Sequence, residues 1–126
     1  MNASFKKHER IYSFGAINEL LQNGKTFFCY PFKVVYYVSD FKAGEESDRA
    51  ILVSVPKRNF KRAIKRNLLK RRIRESYRLN KEVLILPKGQ RVNFMLVYSA
   101  KEILTYIEIE YAVKKILQKL SKERES

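Results

Sequence analysis

The chain has little from which to build a reactive centre of its own. Its 126 residues include one Cys, one His, four Gly, three Pro and no Trp. A single thiol, Cys29, forms no intrachain disulfide, and such a cysteine is most often a small buried hydrophobe. Cys29 and His8 together fall short of the four ligands of a structural zinc site. His8 lies in a basic amino-terminal stretch, where a solvated imidazole is the ordinary outcome. The only Asp residues, Asp40 and Asp48, share a loop, and the Glu residues fall mostly on helix surfaces. That pattern lacks the clustered carboxylates of two-metal phosphodiester hydrolysis. Four glycines leave no P-loop or dinucleotide fingerprint. Long apolar runs are missing too: Val34–Val38 and Phe94–Tyr98 are far short of the ~20 residues a bilayer requires. Met1–Arg10 leads into no apolar segment, so no cleavable signal is read there and the cytoplasm is the expected compartment. No catalytic residue and no metal ligand is predicted, and the chain reads as a binder.

Acidic residues are the scarcest charge. Thirteen Asp and Glu face 27 Lys and Arg, a net charge of +14 and a pI near 10.0. A self-repelling surface of this kind calls for an anionic partner, with nucleic acid or a membrane surface leading. Yet 45% of residues are apolar, and eight Phe and eight Tyr exceed what a disordered basic tail would hold. One ordinary domain with a real core is expected over 1–126, with mobile ends near 1–9 and 121–126.

The excess charge is concentrated. Lys57–Arg74 carries ten cations (Lys57, Arg58, Lys61, Arg62, Lys65, Arg66, Lys70, Arg71, Arg72 and Arg74) and no acid. The remaining 108 positions hold 17 basic and 13 acidic residues, a residue of only +4. Past Pro56, the run from about Phe60 to Tyr77 lacks Gly and Pro and is rich in helix formers. At 100° per residue Leu69, Ile73 and Tyr77 form one apolar ridge, and Ile64 with Leu68 a second. Arg66, Lys70 and Arg74 form a basic ridge, with Asn67 and Arg71 beside it. Solvated charged helices usually mix signs to gain i,i+4 pairs; ten like charges require an outside anion. Six of the ten are Arg, whose planar fork suits phosphate.

Elsewhere, Ile17, Leu20 and Leu21 suggest a short helix ended by Gly24. Phe27–Tyr30, Phe32–Val38, Ala50–Val55 and Arg91–Tyr98 read as strands, with Pro31 as a break and Asp40–Asp48 as an acidic loop. Val83–Leu86 fits either a helix extension or a short strand before the Pro87-Lys88-Gly89 turn. Thr105 and Glu108 form a capping-box pattern before the apolar stripe Ile109, Ala112, Val113, Ile116, Leu117 and Leu120. The expected fold is α+β: a single-domain sandwich of order αβββαβα, with helices packed on a small mixed sheet.

The segment Val55-Pro56-Lys57-Arg58-Asn59-Phe60-Lys61-Arg62-Ala63-Ile64-Lys65-Arg66-Asn67-Leu68-Leu69-Lys70-Arg71-Arg72-Ile73-Arg74-Glu75-Ser76 resembles the signature of the bacterial ribonuclease P protein subunit. That signature reads roughly V-x-K-K/R-x-x-x-R/K-A-x-x-R-N-R-x-K-R-x-x-R-E. Arg10-Ile11, the short helix, Gly24 and a strand resemble the family's start; the Arg91–Tyr98 strand and capped last helix resemble its end. The resemblance implies a protein cofactor of a catalytic RNA that hydrolyses precursor tRNA with Mg²⁺ and releases the 5′ leader. It implies that catalysis belongs to the RNA, and that the partners are that RNA, bound 1:1, and precursor tRNA, with no DNA and no membrane. RNA-binding candidates are Lys57, Arg58, Lys61, Arg62, Lys65, Arg66, Asn67, Lys70, Arg71 and Arg74; leader-cleft candidates are Ile17, Leu21, Phe32 and Tyr36, with Tyr37 one register step away. Exposed aromatic faces in such a cleft would stack unpaired bases.

Two departures from the family pattern stand out. The Arg-Asn-Arg triplet is Arg66-Asn67-Leu68 here, although Arg72 adds a cation nearby. Ile17 and Leu21 occupy helix positions that many members fill with Phe. The main alternative is a non-catalytic ribosomal or rRNA-binding protein, which shares the size, charge and mixed build. A basic zipper would need apolar heptads beyond Tyr77, where the chain instead breaks at Pro87. A membrane-surface helix would need a wider apolar face than this one has.

Overall fold

A computed structural model describes residues 14–44 and 47–122. The expected mobile stretch 1–9, His8 and residues 123–126 lie outside the described residues. The elements are α1 (Phe14–Asn23), β1 (Lys25–Cys29), β2 (Phe32–Asp40), β3 (Arg49–Ser54), α2 (Ala63–Asn80), a 3-10 turn (Lys81–Val83), β4 (Gln90–Tyr98) and α3 (Tyr106–Leu120). The sheet order is β1-β2-β4-β3, with antiparallel β1/β2 and β2/β4 pairs and a parallel β3/β4 pair. This is the α+β class and the element order that the hydrophobic periodicity predicts.

Lys33 sets which face of the sheet each β2 residue occupies. Successive strand residues point to opposite faces, and the ammonium of Lys33 stays in solvent. Phe32, Val34, Tyr36 and Val38 therefore point the other way, into the main core under α2 and α3. Val35 joins Leu20 of α1 and Ala50 of β3 in a second, smaller cluster on the opposite face, flanked by half-buried Ile17, Tyr37, Leu52 and Met95. The main core is closed by Leu69, Ile73 and Tyr77 of α2 and by the whole α3 stripe from Ile109 to Leu120. Each of those buried large side chains contributes on the order of 1.5–3 kcal/mol of transfer free energy. Edge-to-face contacts pair Tyr77 with Phe94 at 6.0 Å and Phe32 with Tyr98 at 5.8 Å between ring centroids.

Several boundaries differ from the expectation for physical reasons. Gly24 does follow α1, but through close approach: an added Cβ would sit 2.3 Å from the Leu20 carbonyl oxygen and 2.9 Å from Val35. Among the described residues positive φ is reserved for Gly44 and for Gly89, in the expected Pro87-Lys88-Gly89 turn. Val83–Leu86 forms no strand; α2 runs to Asn80 and tightens into the 3-10 turn, which ends at Val83, and the chain then leaves helical structure and buries Leu84. The Ser121 hydroxyl holds this segment, accepting from the Ile85 amide at 2.9 Å and lying 3.2 Å from the Val83 carbonyl oxygen. Ser121 thus links the end of α3 to this segment. The capping box of α3 forms as expected: the Glu108 amide donates to Thr105 Oγ1 at 3.2 Å, and the Thr105 amide donates to Glu108 at 3.0 Å.

Candidate nucleic-acid interface

The basic segment divides into an irregular turn and a helix. The Asn59 amide donates to the Pro56 carbonyl at 3.2 Å, and the buried ring of Phe60 packs against Tyr98 with centroids 5.9 Å apart. Burying Phe60 holds the chain out of helical register, so α2 starts at Ala63 and not at Phe60. Arg66 Nη1 then satisfies the carbonyls left over, donating to Phe60 at 2.7 Å and to Lys61 at 2.8 Å. Nη1 of the RNA-binding candidate Arg66, whose side chain is half-buried, is thus engaged in holding the approach to the helix. The start of α2 has no side-chain cap and no acid in its first turn, so its amide dipole adds to the positive potential there.

Beyond Arg66, Asn67, Arg71 and Arg74 recur at i, i+4 and i+7 on the outward face and are exposed; Lys70 is half-buried at its border. Lys57, Arg58, Lys61, Arg62 and Lys65 are exposed around the turn and the first helical residues. The first acid, Glu75, is taken up locally by a two-pronged pair with Arg78, at 2.8 and 2.6 Å. That hydrogen bond holds the Glu75 carboxyl below the usual carboxylate range. Of the two predicted apolar ridges only Leu69–Ile73–Tyr77 is buried. Ile64 is 76% exposed, because the core lies on the far side of the helix from it. Leu68 shares that outward arc and is half-buried. Arg72 does not cover for it: Nη1 donates to the Leu104 carbonyl at 2.5 Å, turned toward the connection before α3.

The face of the sheet beside α1 forms a second surface. Ile17 is half-buried against it and Leu21 stands 59% exposed above it. Phe32 and Tyr36, expected here, are 1% and 6% exposed and belong to the core on the other face. A one-residue step reverses the face, so Tyr37 is the residue of that pair on the α1 side. Lys33 and the exposed ring of Phe28 are cross-strand partners on this same face, and sequence reasoning passed over both. Lys33 was the available signal: a lone cation in an apolar run marks the solvent side of the strand.

The ribonuclease P family model matches residues 5–121. The chain belongs to the ribonuclease P protein family. Ribonuclease P protein components from two strains of Porphyromonas gingivalis are 40% and 39% identical to it over 121 residues, covering 91% of this chain and 85% of each relative. The ribonuclease P protein of Thermotoga maritima shares the fold with a TM-score of 0.67 at 22% identity, over 88% of this chain and 96% of that one. That of Staphylococcus aureus does so at 0.62 and 22% identity, over 90% and 95%. For a ribonuclease P protein, the departure at Leu68 therefore falls on the outward face of α2, next to Asn67 and Arg71, while Arg72 is turned toward Leu104.

Proposed function

We propose that this chain is the protein subunit of ribonuclease P, an endoribonuclease whose catalysis resides in its RNA, and that α2 is the surface that docks on that RNA. The observation that carries the reading is the outward face of α2, where Asn67, Arg71 and Arg74 stand exposed with the nearest acid already paired. Arg71 and Arg74 neutralise phosphates, Asn67 hydrogen-bonds the backbone, and Lys57, Arg58, Lys61, Arg62 and Lys65 extend the field across the preceding turn. Arg66 acts one step back, by fixing that turn. Lys70, half-buried, contributes charge at the edge.

The unpaired 5′ leader of precursor tRNA lies on the opposite side, along the sheet face beside α1. Ile17 and Leu21 offer apolar contact there, Tyr37 and Phe28 offer rings, and Lys33 offers charge. Phe32 and Tyr36 support that surface from within the core and do not touch RNA. The protein thereby aligns the leader while the RNA hydrolyses one phosphodiester and leaves the mature 5′ end. Among the described residues no group of three or more His, Cys, Asp or Glu is placed to hold a metal ion. The Mg²⁺ of the reaction is assigned to the RNA. Among the described residues no helix is long and apolar enough to cross a membrane. The setting proposed is the cytoplasm, with one chain per catalytic RNA and neither DNA nor membrane as partner.

Family membership favours this reading over a ribosomal one. Reconstitution with a bacterial ribonuclease P RNA tests it: the protein should raise precursor tRNA cleavage at low Mg²⁺ and favour precursor over mature tRNA. No stimulation over RNA alone would overturn the assignment.

A further inference from the structure

Lys101 belongs to no motif in the sequence, yet the fold sets it opposite the start of α2. A cavity of about 450 Å³ opens between the turn leading into α2 and the connection from β4 to α3. Lys61, Arg62, Lys65 and Lys101 line it, with Glu102 as its one acid. These four cations have no ion-pair partner among the described residues; the Arg49–Asp48 and Arg78–Glu75 pairs lie elsewhere. Unneutralised, they repel one another across a concave space, which an anion would relieve. The volume falls within the ~300–1,000 Å³ of ordinary small-ligand sites.

The wall that carries Lys101 is held in place. The buried Tyr98 hydroxyl donates to the Glu102 carbonyl at 2.7 Å and accepts from the Leu104 amide at 3.1 Å. Arg72 grips the Leu104 carbonyl from α2. Beside the cavity, the Tyr30 hydroxyl donates to Glu102 Oε1 at 2.8 Å, which orients a ring that is 67% exposed. A phosphate-sized concentration of cations next to an exposed, tethered aromatic face is the combination that binds an unpaired nucleotide.

We propose that this cavity takes one unpaired nucleotide of the catalytic RNA, its phosphate among Lys61, Arg62, Lys65 and Lys101 and its base on the ring of Tyr30. The inference rests on the docking of α2 on that RNA. The cavity lies on the α2–α3 side of the sheet, away from the face beside α1, so it goes with the catalytic RNA and not with the leader. Tyr30 and Lys101 thereby join the interface from outside the basic segment.

The test uses full-length chain and a bacterial ribonuclease P RNA, with dissociation constants measured over a series of salt concentrations. Lys101→Ala should reduce the log–log salt slope by about 0.7, the value for one single-strand phosphate contact. Tyr30→Ala should weaken binding by at least about fivefold, the lower end for loss of base–aromatic stacking. Tyr30→Phe keeps the ring and should stay near the parent affinity. Melting curves check that each variant is folded; if Tyr30→Ala is not, Lys101→Ala decides. Parent affinity and slope in Lys101→Ala, with Tyr30→Ala folded and unimpaired, would overturn the proposal. So would losses confined to precursor tRNA binding by the assembled holoenzyme. An Arg71→Ala, Arg74→Ala double variant runs alongside: its failure to bind the RNA leaves the α2 reading standing whatever the cavity variants do. Undiminished binding by the double variant removes the α2 reading itself.

Discussion

Replacing Arg66 by Lys separates two roles that the charge of this position would otherwise merge. The ammonium keeps the positive charge, but the shorter side chain ends one atom short of Nη1, the nitrogen that donates to both the Phe60 and Lys61 carbonyls. A hydrogen bond from a charged donor contributes ~1.5–3 kcal/mol, and water competes for the exposed Lys61 carbonyl. The pair is therefore worth about 2 kcal/mol in total. For a chain of this size, ~1 kcal/mol moves Tm by roughly 3–5 °C, so Arg66→Lys should melt ~6–10 °C below the parent. Its salt slope for RNA binding should be unchanged, because the number of cations is unchanged. Arg74→Ala should behave in the opposite way. Its side chain is exposed, so stability should stay within ~0.5 kcal/mol, while the salt slope falls by about 0.7–0.9. Thermal melts by circular dichroism and salt-titrated filter binding give the two readouts. Arg66→Lys melting with the parent would refute the clamp. Parent-like slope in Arg74→Ala would refute its phosphate contact.

Gly24→Ala should destabilise by roughly 1–3 kcal/mol, since the new methyl meets a backbone oxygen that cannot swing aside; a urea midpoint shift without a change in m checks it. Leu69→Ala removes a fully buried contact between α2 and the sheet and should cost ~2–5 kcal/mol by the same measurement. Cys29 should be alkylated slowly at neutral pH, because burial raises its thiol pKa above the ordinary value and leaves it protonated there; rapid modification of the folded protein would count against this. Glu75 should titrate below a free carboxylate in carbon-detected NMR, since its hydrogen bond from Arg78 favours the charged form. A depressed folded-state pKa means that its stabilising effect is present above the unfolded pKa and lost as pH falls through the folded one. Arg78→Ala should return it to the ordinary range.

The elements themselves were legible because local chemistry specifies them. The α3 stripe and its Thr105–Glu108 box are periodic and capped within one segment, so nothing distant had to be known. The ridge Leu69–Ile73–Tyr77 was visible for the same reason. The cation surface was less so. Periodicity places Arg66, Lys70 and Arg74 on one ridge, but it cannot show that two carbonyls left over by a buried Phe60 would claim Arg66. Ile64 and Leu68 satisfy the spacing of a ridge without having a core to face.

The sequence by itself determined that this chain folds as three helices on a four-stranded sheet, gathers its excess positive charge in one basic segment, and carries the motif of the ribonuclease P protein family. Those conclusions need only spacing, charge count and motif, which are properties of neighbours in the chain. Tertiary structure alone decided which side chains are buried and which face outward. Phe32 and Tyr36 went to the core and Tyr37 to the α1 face, because adjacent strand residues point opposite ways and only the packed helices say which way is in. Lys101 came to face Lys61, Arg62 and Lys65 across some forty residues, because the sheet returns β4 beside the start of α2.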